Sequence, residues 1–372
     1  MEKVKMILQN RWALAVIVAF GLAARMAMAA RGHNYDMESY FIVADITGHD
    51  GNIYAETDRY NYGPIWFMVV HLLDVLSDHH HEVLRYLIAG LLSLADLGIF
   101  LCLVRLAGHL PAVLFFLNPV SIIITGYHSQ IDNVAILLGL WSVILLGDDF
   151  ETPINRRKFG GLLVLGLSLV FKHILFAFPV WLALKQKGFR RKIIVVAVPT
   201  ACFLFCFVPF WSEGRQGILN NVIFYNSNPT NIFYQYFVPK LAQCCIGSES
   251  LWFCLLILFA FLCRTRSAFE SLLIYTGVLV AFSPATLNEY LVIPMALAAV
   301  FWSVPFGLYT VITTFHLCAD MNGPHFIKLG SYYNAAIVAL CFALCWLMRK
   351  KQFLNLFQSI WREIKLQLGD SR

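Results

Sequence analysis

Two short polar islands carry side chains suited to chemistry: Tyr35-Asp36-Met37-Glu38 and His128-Ser129-Gln130-Ile131-Asp132-Asn133. Each stands at the end of an apolar stretch long enough to cross a membrane. Desolvating a carboxylate at such a boundary is costly, so a cluster of them there is a functional candidate. A carboxylate in this setting can take a proton from a hydroxyl. His128 and Gln130 add groups that donate or accept hydrogen bonds. Lys172-His173 and Asn288-Glu289 mark two further span ends. Each island also has a structural reading. Asp36 and Glu38 suit the start of a helix, residues 128–133 suit a polar turn, and Lys172 suits a snorkelling span end. Chemistry requires that the topology bring the islands to one side.

The chain is 59% hydrophobic and 13% charged, against about 25% charged in soluble domains. Its mean hydropathy is +0.68. These values exclude an ordinary soluble domain, and the net charge of +6 is explained by loop cations rather than by nucleic acid. About twelve spans are expected: 12–30, 83–104, 110–126, 132–147, 159–172, 174–184, 193–211, 250–263, 268–284, 290–302, 304–318 and 331–348. The fold class is therefore all-α and polytopic. A cytoplasmic N-terminus puts Arg105, Arg156-Arg157-Lys158, Lys185 to Lys192, Arg264, Arg266 and Arg349-Lys350-Lys351 on the cytoplasmic side, as the positive-inside bias demands. Counting Pro64 to Leu76 as a span would move the Lys185–Lys192 cluster outside. It reads instead as a surface helix in a long first outer loop, 31–82, after a second surface helix over 36–46 capped by Asn34 or a neighbour. With this register Asp36, Glu38, His128, Gln130, Asp132, Lys172, His173, Asn288 and Glu289 all fall on the non-cytoplasmic side. Residues 1–348 form a single membrane domain, and 349–372 form a basic amphipathic tail, apolar at 353, 357, 360, 361, 364 and 368.

Other features read blandly. Most of the ten cysteines lie in apolar runs and suit packing better than metal or disulfide chemistry. His79-His80-His81 suits a hydrated loop, Asn226-Ser227-Asn228-Pro229 suits a turn, and no internal repeat is evident.

Four passages in order carry a family resemblance. Tyr35-Asp36-Met37-Glu38 matches an Asp-x-Glu after the first span, and Asn61-Tyr62-Gly63-Pro64-Ile65 is similar to Asp-Tyr-Pro-Pro-Leu in the same loop. His128-Ser129-Gln130-Ile131-Asp132 is similar to His-x-Gln-x-Asn/Asp, and Phe171-Lys172-His173 to a Lys-Gln ahead of a basic loop. Over residues 10–212 the chain resembles the GT-C glycosyltransferases. Within these it is most similar to the dolichyl-phosphate-glucose glucosyltransferases of N-glycan precursor assembly. Two departures stand out: Asn288-Glu289-Tyr290 replaces the family's His-Glu-Lys, and Gly63 replaces the first proline of Pro-Pro.

The resemblance implies a GT-C-like fold and an inverting hexosyltransferase that draws glucose or mannose from a polyprenyl-phosphate carrier. Asp36 is then the general base. Glu38, Tyr62 and Asp132 position the acceptor or the site, while His128, Gln130, Lys172, His173, Asn288 and Glu289 serve the donor phosphate or sugar. The expected partners are the polyprenyl-phosphate-hexose donor, a glycan or lipid acceptor and membrane lipid, without nucleic acid, cofactor or metal. Short loops, the compact size and the absence of an Asn-x-Ser/Thr sequon favour a bacterial inner membrane over the endoplasmic reticulum. The alternative is a transporter or flippase, which calls for internal repeats and charges near mid-span; in the sequence the charges gather at one edge.

Overall fold

The computed structural model describes residues 10–225, 231–232, 247–285, 287–320, 323–327 and 331–349. The turn at 226–229, the adjacent Cys244 and Cys245, and residues 350–372 of the amphipathic tail lie outside them. The described residues are helical, without strands. In chain order the α-helices are α1 Arg11–Arg31, α2 Tyr35–Gly48, α3 Ile53–Glu56, α4 Pro64–Leu76, α5 His81–Ala107, α6 His109–Phe116, α7 Pro119–Ile123, α8 Asp132–Leu146 and α9 Arg156–Phe171. They continue with α10 Phe178–Ala183, α11 Phe189–Phe205, α12 Trp211–Gly217, α13 Ser248–Leu262, α14 Ala268–Phe282, α15 Met295–Val300, α16 Val304–Ala319 and α17 Tyr333–Met348.

Each of the apolar stretches read from the sequence coincides with a helical unit. By length and composition three of them can cross a membrane unaided: Arg11–Arg31, His81–Ala107 and the run Phe189–Ile223. The pair His109–Phe116 and Pro119–His128, bent by 46°, makes a fourth if it is one span. The bend has a local cause. Asn118 caps α7 by accepting from Val120 N–H at 2.9 Å, and Pro119 cannot donate back into α6. The two helices expected between residues 31 and 82 form as α2 and α4.

Two hydrophobic clusters organise the described residues. The larger fills the bundle of spans. The smaller belongs to the first loop, where Tyr40, Tyr54, Tyr60, Tyr62, Trp66 and Phe67 pack with Ile131, Phe207 and Ile218. Tyr40 meets Trp66 edge-on at 5.4 Å between ring centroids. Such aromatic pairs add about 0.5–1.5 kcal/mol beyond burial. The loop therefore has a core of its own and can hold α2 rigidly over the end of the bundle.

One finding corrects the sequence reading: the charges are not confined to one edge. Arg25 of α1 and Asp96 of α5 are both fully buried, with Arg25 Nε 2.7 Å from Asp96 Oδ2. Arg25 also donates to the Gly21 and Phe116 carbonyls and to Ser121 Oγ at 2.9–3.0 Å. Asp96 accepts from Ser121, Thr125 and Asn133 at 3.1, 2.8 and 2.5 Å. A pair so fully hydrogen-bonded offsets much of its desolvation and pins α1, α5, α7 and α8 together just beneath the 128–133 island.

Candidate active site

Asn34 is the hub. Its Oδ1 caps α2, accepting from the Asp36 and Met37 N–H groups at 3.2 and 3.4 Å. Its amide nitrogen faces three acceptors: Asp36 Oδ2 at 3.0 Å, His128 Nδ1 at 3.0 Å and Glu289 Oε1 at 3.4 Å. One amide thus ties the first loop, the turn before α8 and the turn before α15. Gln130 Nε2 donates to the same Asp36 oxygen at 2.6 Å. Ser129, with φ of 52°, makes the left-handed turn between His128 and Gln130; such strain recurs at functional sites.

Burial and then the nearby Glu289 carboxylate push the Asp36 carboxyl up from 3.8 to about 6, against the lowering effect of Asn34 and Lys172. A base poised there is half-ionised at about pH 6, is mostly ionised at neutral pH and returns a proton readily.

Lys172 Nζ lies 2.9 Å from Asp132 Oδ2, and Asp132 is fully buried. The ammonium also sits 5.0 and 5.2 Å from the Tyr62 and Tyr290 ring centroids, within cation–π range. The backbone supports this placement. A Cβ on Gly63 would fall 1.8 Å from the Val170 carbonyl oxygen, so only glycine lets the 60–64 loop press against the end of α9.

These groups surround a polar cavity of about 160 Å³, lined by Asp36, Gln130, Lys172, Tyr62, Glu289 and Tyr290 among others. An apolar cavity of about 630 Å³ shares Tyr225 and Tyr290 with it and continues along Ile174, Phe176, Trp252 and Phe253.

Not every expected residue reaches the cavity. Glu38 pairs with His33 at 2.7 Å on the exposed side of α2. His173 lines the apolar cavity, with its ring 5.7 Å from Phe203. Asn288 turns away and accepts from His316 Nε2 at 2.7 Å; the Tyr332 N–H on Nδ1 leaves Nε2 as the protonated nitrogen. His128 and Asp132 lie behind the cavity wall and act through Asn34 and Lys172. The sequence reading missed the Asn34 amide, the Tyr290 ring, and Asp58 and Arg59 in the cavity lining. The Asn-x-Asp spacing was the one available signal, since it lets a capping side chain reach the next carboxylate. Among the described residues, no group of three or more His, Cys, Asp or Glu is arranged to hold a metal ion.

No family model and no curated protein matches this chain. Among solved structures, the crystal structure of ArnT from Cupriavidus metallidurans in the apo state is similar, with a TM-score of 0.51 and 16% identity over 91% of this chain and 72% of that one. At that identity the likeness shows the fold. The chain has the all-α, GT-C-like architecture of a polytopic membrane protein.

Proposed function

We propose that this chain is an inverting membrane glycosyltransferase that moves a hexose, glucose or mannose, from a polyprenyl-phosphate carrier to an acceptor on the non-cytoplasmic face. The observation that carries the reading is that Asp36 and Lys172 line one polar cavity that adjoins an apolar one. Asp36 takes the proton of the acceptor hydroxyl as its oxygen bonds to the anomeric carbon. On the other side of that carbon the bond to the lipid phosphate breaks, and the carrier leaves as a polyprenyl monophosphate. Lys172, oriented by Asp132, meets the charge that grows on the phosphate, as fixed cations do in other transfer reactions. Gln130 and Asn34 aim the base. The carrier tail follows the apolar cavity past Tyr225 and Tyr290. The short loops, compact size and absence of an Asn-x-Ser/Thr sequon favour a bacterial inner membrane as the setting.

The transporter alternative gains one observation, the mid-span Arg25–Asp96 pair. Both residues are fully buried and hydrogen-bonded on every side, and neither lines the polar or the apolar cavity. They serve packing.

Donor binding tests the proposal. Detergent-purified protein should retain labelled polyprenyl-phosphate-glucose or polyprenyl-phosphate-mannose. The charge-balanced Lys172→Met, Asp132→Asn variant should bind it about tenfold or more weakly, the worth of a hydrogen bond to a charged group. If the unaltered protein bound neither donor, the proposal would fall.

A further inference from the structure

We infer that one anionic phospholipid binds in a groove along α11, its phosphate on Lys192 and its acyl chains against Ile193, Val196, Ala197 and Ala201. The site is separate from the polar cavity and holds whether or not the chain is a transferase. A cavity of about 1170 Å³ is lined by Lys192, Val196, Thr200, Leu204, Val208 and Ser212 at four-residue intervals. That spacing makes one stripe along the helix. At 1.5 Å per residue the run from Lys192 to Trp211 is about 28 Å long, close to the ~30 Å of a bilayer's hydrocarbon core. Of α11 itself only Val195 and Pro199 are buried. Packing against the described residues therefore leaves most of this helix open to lipid.

Charge at one end selects the occupant. Lys192 is the one charged residue among those described that line the groove. A lysine at a span end can snorkel unaided, but here the nearby acid is already engaged. Lys187 pairs with Glu151, and Arg191 donates to the Glu151 carbonyl. Among the described residues neither Lys192 nor Arg190 joins an ion pair. A phosphodiester supplies the missing negative charge, and basic pockets between spans on the cytoplasmic side suit anionic headgroups. The loop cations mark this end as cytoplasmic. The chains of one leaflet reach about 15 Å, half the hydrocarbon core, which takes them from Lys192 to about residue 202. In that half the lining side chains Ala183, Ala197, Thr200 and Ala201 are short, which leaves room for two chains.

The sugar carrier does not fit the same place. Helices α9 and α11 run side by side in one direction. Glu151, just before α9, lies by Lys187 and Arg191, Gly166 abuts Pro199 and Cys202, and the His173 ring meets Phe203. Lys192 is thus eleven residues, about 16 Å along the helix, from the level of Phe203 and the Lys172 end. A phosphate held at Lys172 cannot also lie on Lys192. A second protein span would cover the apolar stripe yet leave Lys192 without an anion.

The test is native mass spectrometry of the full-length protein released from detergent micelles. Equal amounts of phosphatidylglycerol and phosphatidylcholine with identical acyl chains are added. The unaltered protein and Lys192→Arg should retain one phosphatidylglycerol in preference to phosphatidylcholine. Lys192→Gln should cut that preference about fivefold, the worth of one cation beside an anionic headgroup. Ala197→Phe keeps every cation but fills the groove, and should lower retention of both lipids. The paired change Arg105→Gln with Arg156→Gln, at cations outside the groove lining, should leave the preference intact. Equal retention of the two lipids by the unaltered protein would overturn the site, leaving annular lipid only. So would an unchanged preference in Lys192→Gln, or unchanged retention in Ala197→Phe. Displacement of phosphatidylglycerol by polyprenyl monophosphate would assign the groove to the carrier, and a lipid-free dimer would assign it to a second copy of the chain; either result overturns the inference.

Discussion

Glu289 should set the pH at which Asp36 works, and replacing Glu289 by Gln isolates that effect. The Gln side chain keeps an oxygen to accept from the Asn34 amide, so geometry is preserved while the charge is removed. With Asp36 at about 6, about a tenth of it is ionised at pH 5 and nearly all at pH 8, so the rate ratio between those pH values is about one tenth. Glu289 is the second cause of the raised value, after burial. Removing its charge should slide the acid limb of the rate profile below pH 6. Burial persists, so the limb should stay above the unburied value of 3.8. The pH 5 to pH 8 ratio then rises above about one tenth without reaching one. Lys172 faces the same carboxyl and lowers its value, so Lys172→Met should move the limb the opposite way. The assay is single-turnover transfer of labelled hexose from saturating donor across pH 4.5–8.5 in steps of about half a unit. An unmoved limb in Glu289→Gln, or one that rises, would refute the coupling.

Four further outcomes are expected. Because the folded value of Asp36 lies above its unfolded value of 3.8, its ionised form costs the fold up to about 3 kcal/mol, a cost complete above pH 6 and gone below 3.8. Asp36→Asn should therefore unfold at a higher temperature than the parent at pH 8, and the difference should fade by pH 4. Asp132→Asn should weaken donor binding, since it frees Lys172 to leave its place between Tyr62 and Tyr290; unchanged donor affinity would remove Asp132 from its orienting role. Asp96→Ala leaves Arg25 buried without its partner and should cost about 3–5 kcal/mol, whereas Arg25→Met with Asp96→Leu should recover most of that; thermal unfolding in detergent separates the two. Gly63→Ala must displace the Val170 carbonyl and should reduce donor affinity more than it reduces stability.

Much of the fold was legible because its signals are local. Apolar runs of span length mark the bundle, and Asn34 before Tyr35 and Pro64 at a first helical turn mark the starts of α2 and α4. The site was partly legible for the same reason: Asp36, Gln130, Tyr62, Lys172 and Glu289 do converge on one cavity. Side-chain direction was not legible. Glu38 and Asp36 share an island, yet two positions on a helix differ by about 200°, and Glu38 turns outward to His33. Asn288 and His173 neighbour residues of the polar cavity but face His316 and the apolar cavity instead. Long-range pairs were hidden altogether. Arg25 and Asp96 are 71 residues apart and look like isolated blemishes in two apolar runs. Only the packing of α1 against α5 shows them to be one unit.

Transfer chemistry at Asp36 is the central claim, and one experiment meets it directly. Purified protein and its Asp36→Asn variant are given radiolabelled polyprenyl-phosphate-glucose or polyprenyl-phosphate-mannose in detergent, with a panel of membrane-lipid extracts as acceptors. Label should pass to a product with the unaltered protein and one of the two donors, and the variant should bind that donor yet form no product. Equal transfer by the variant would contradict the assignment of Asp36 as the base.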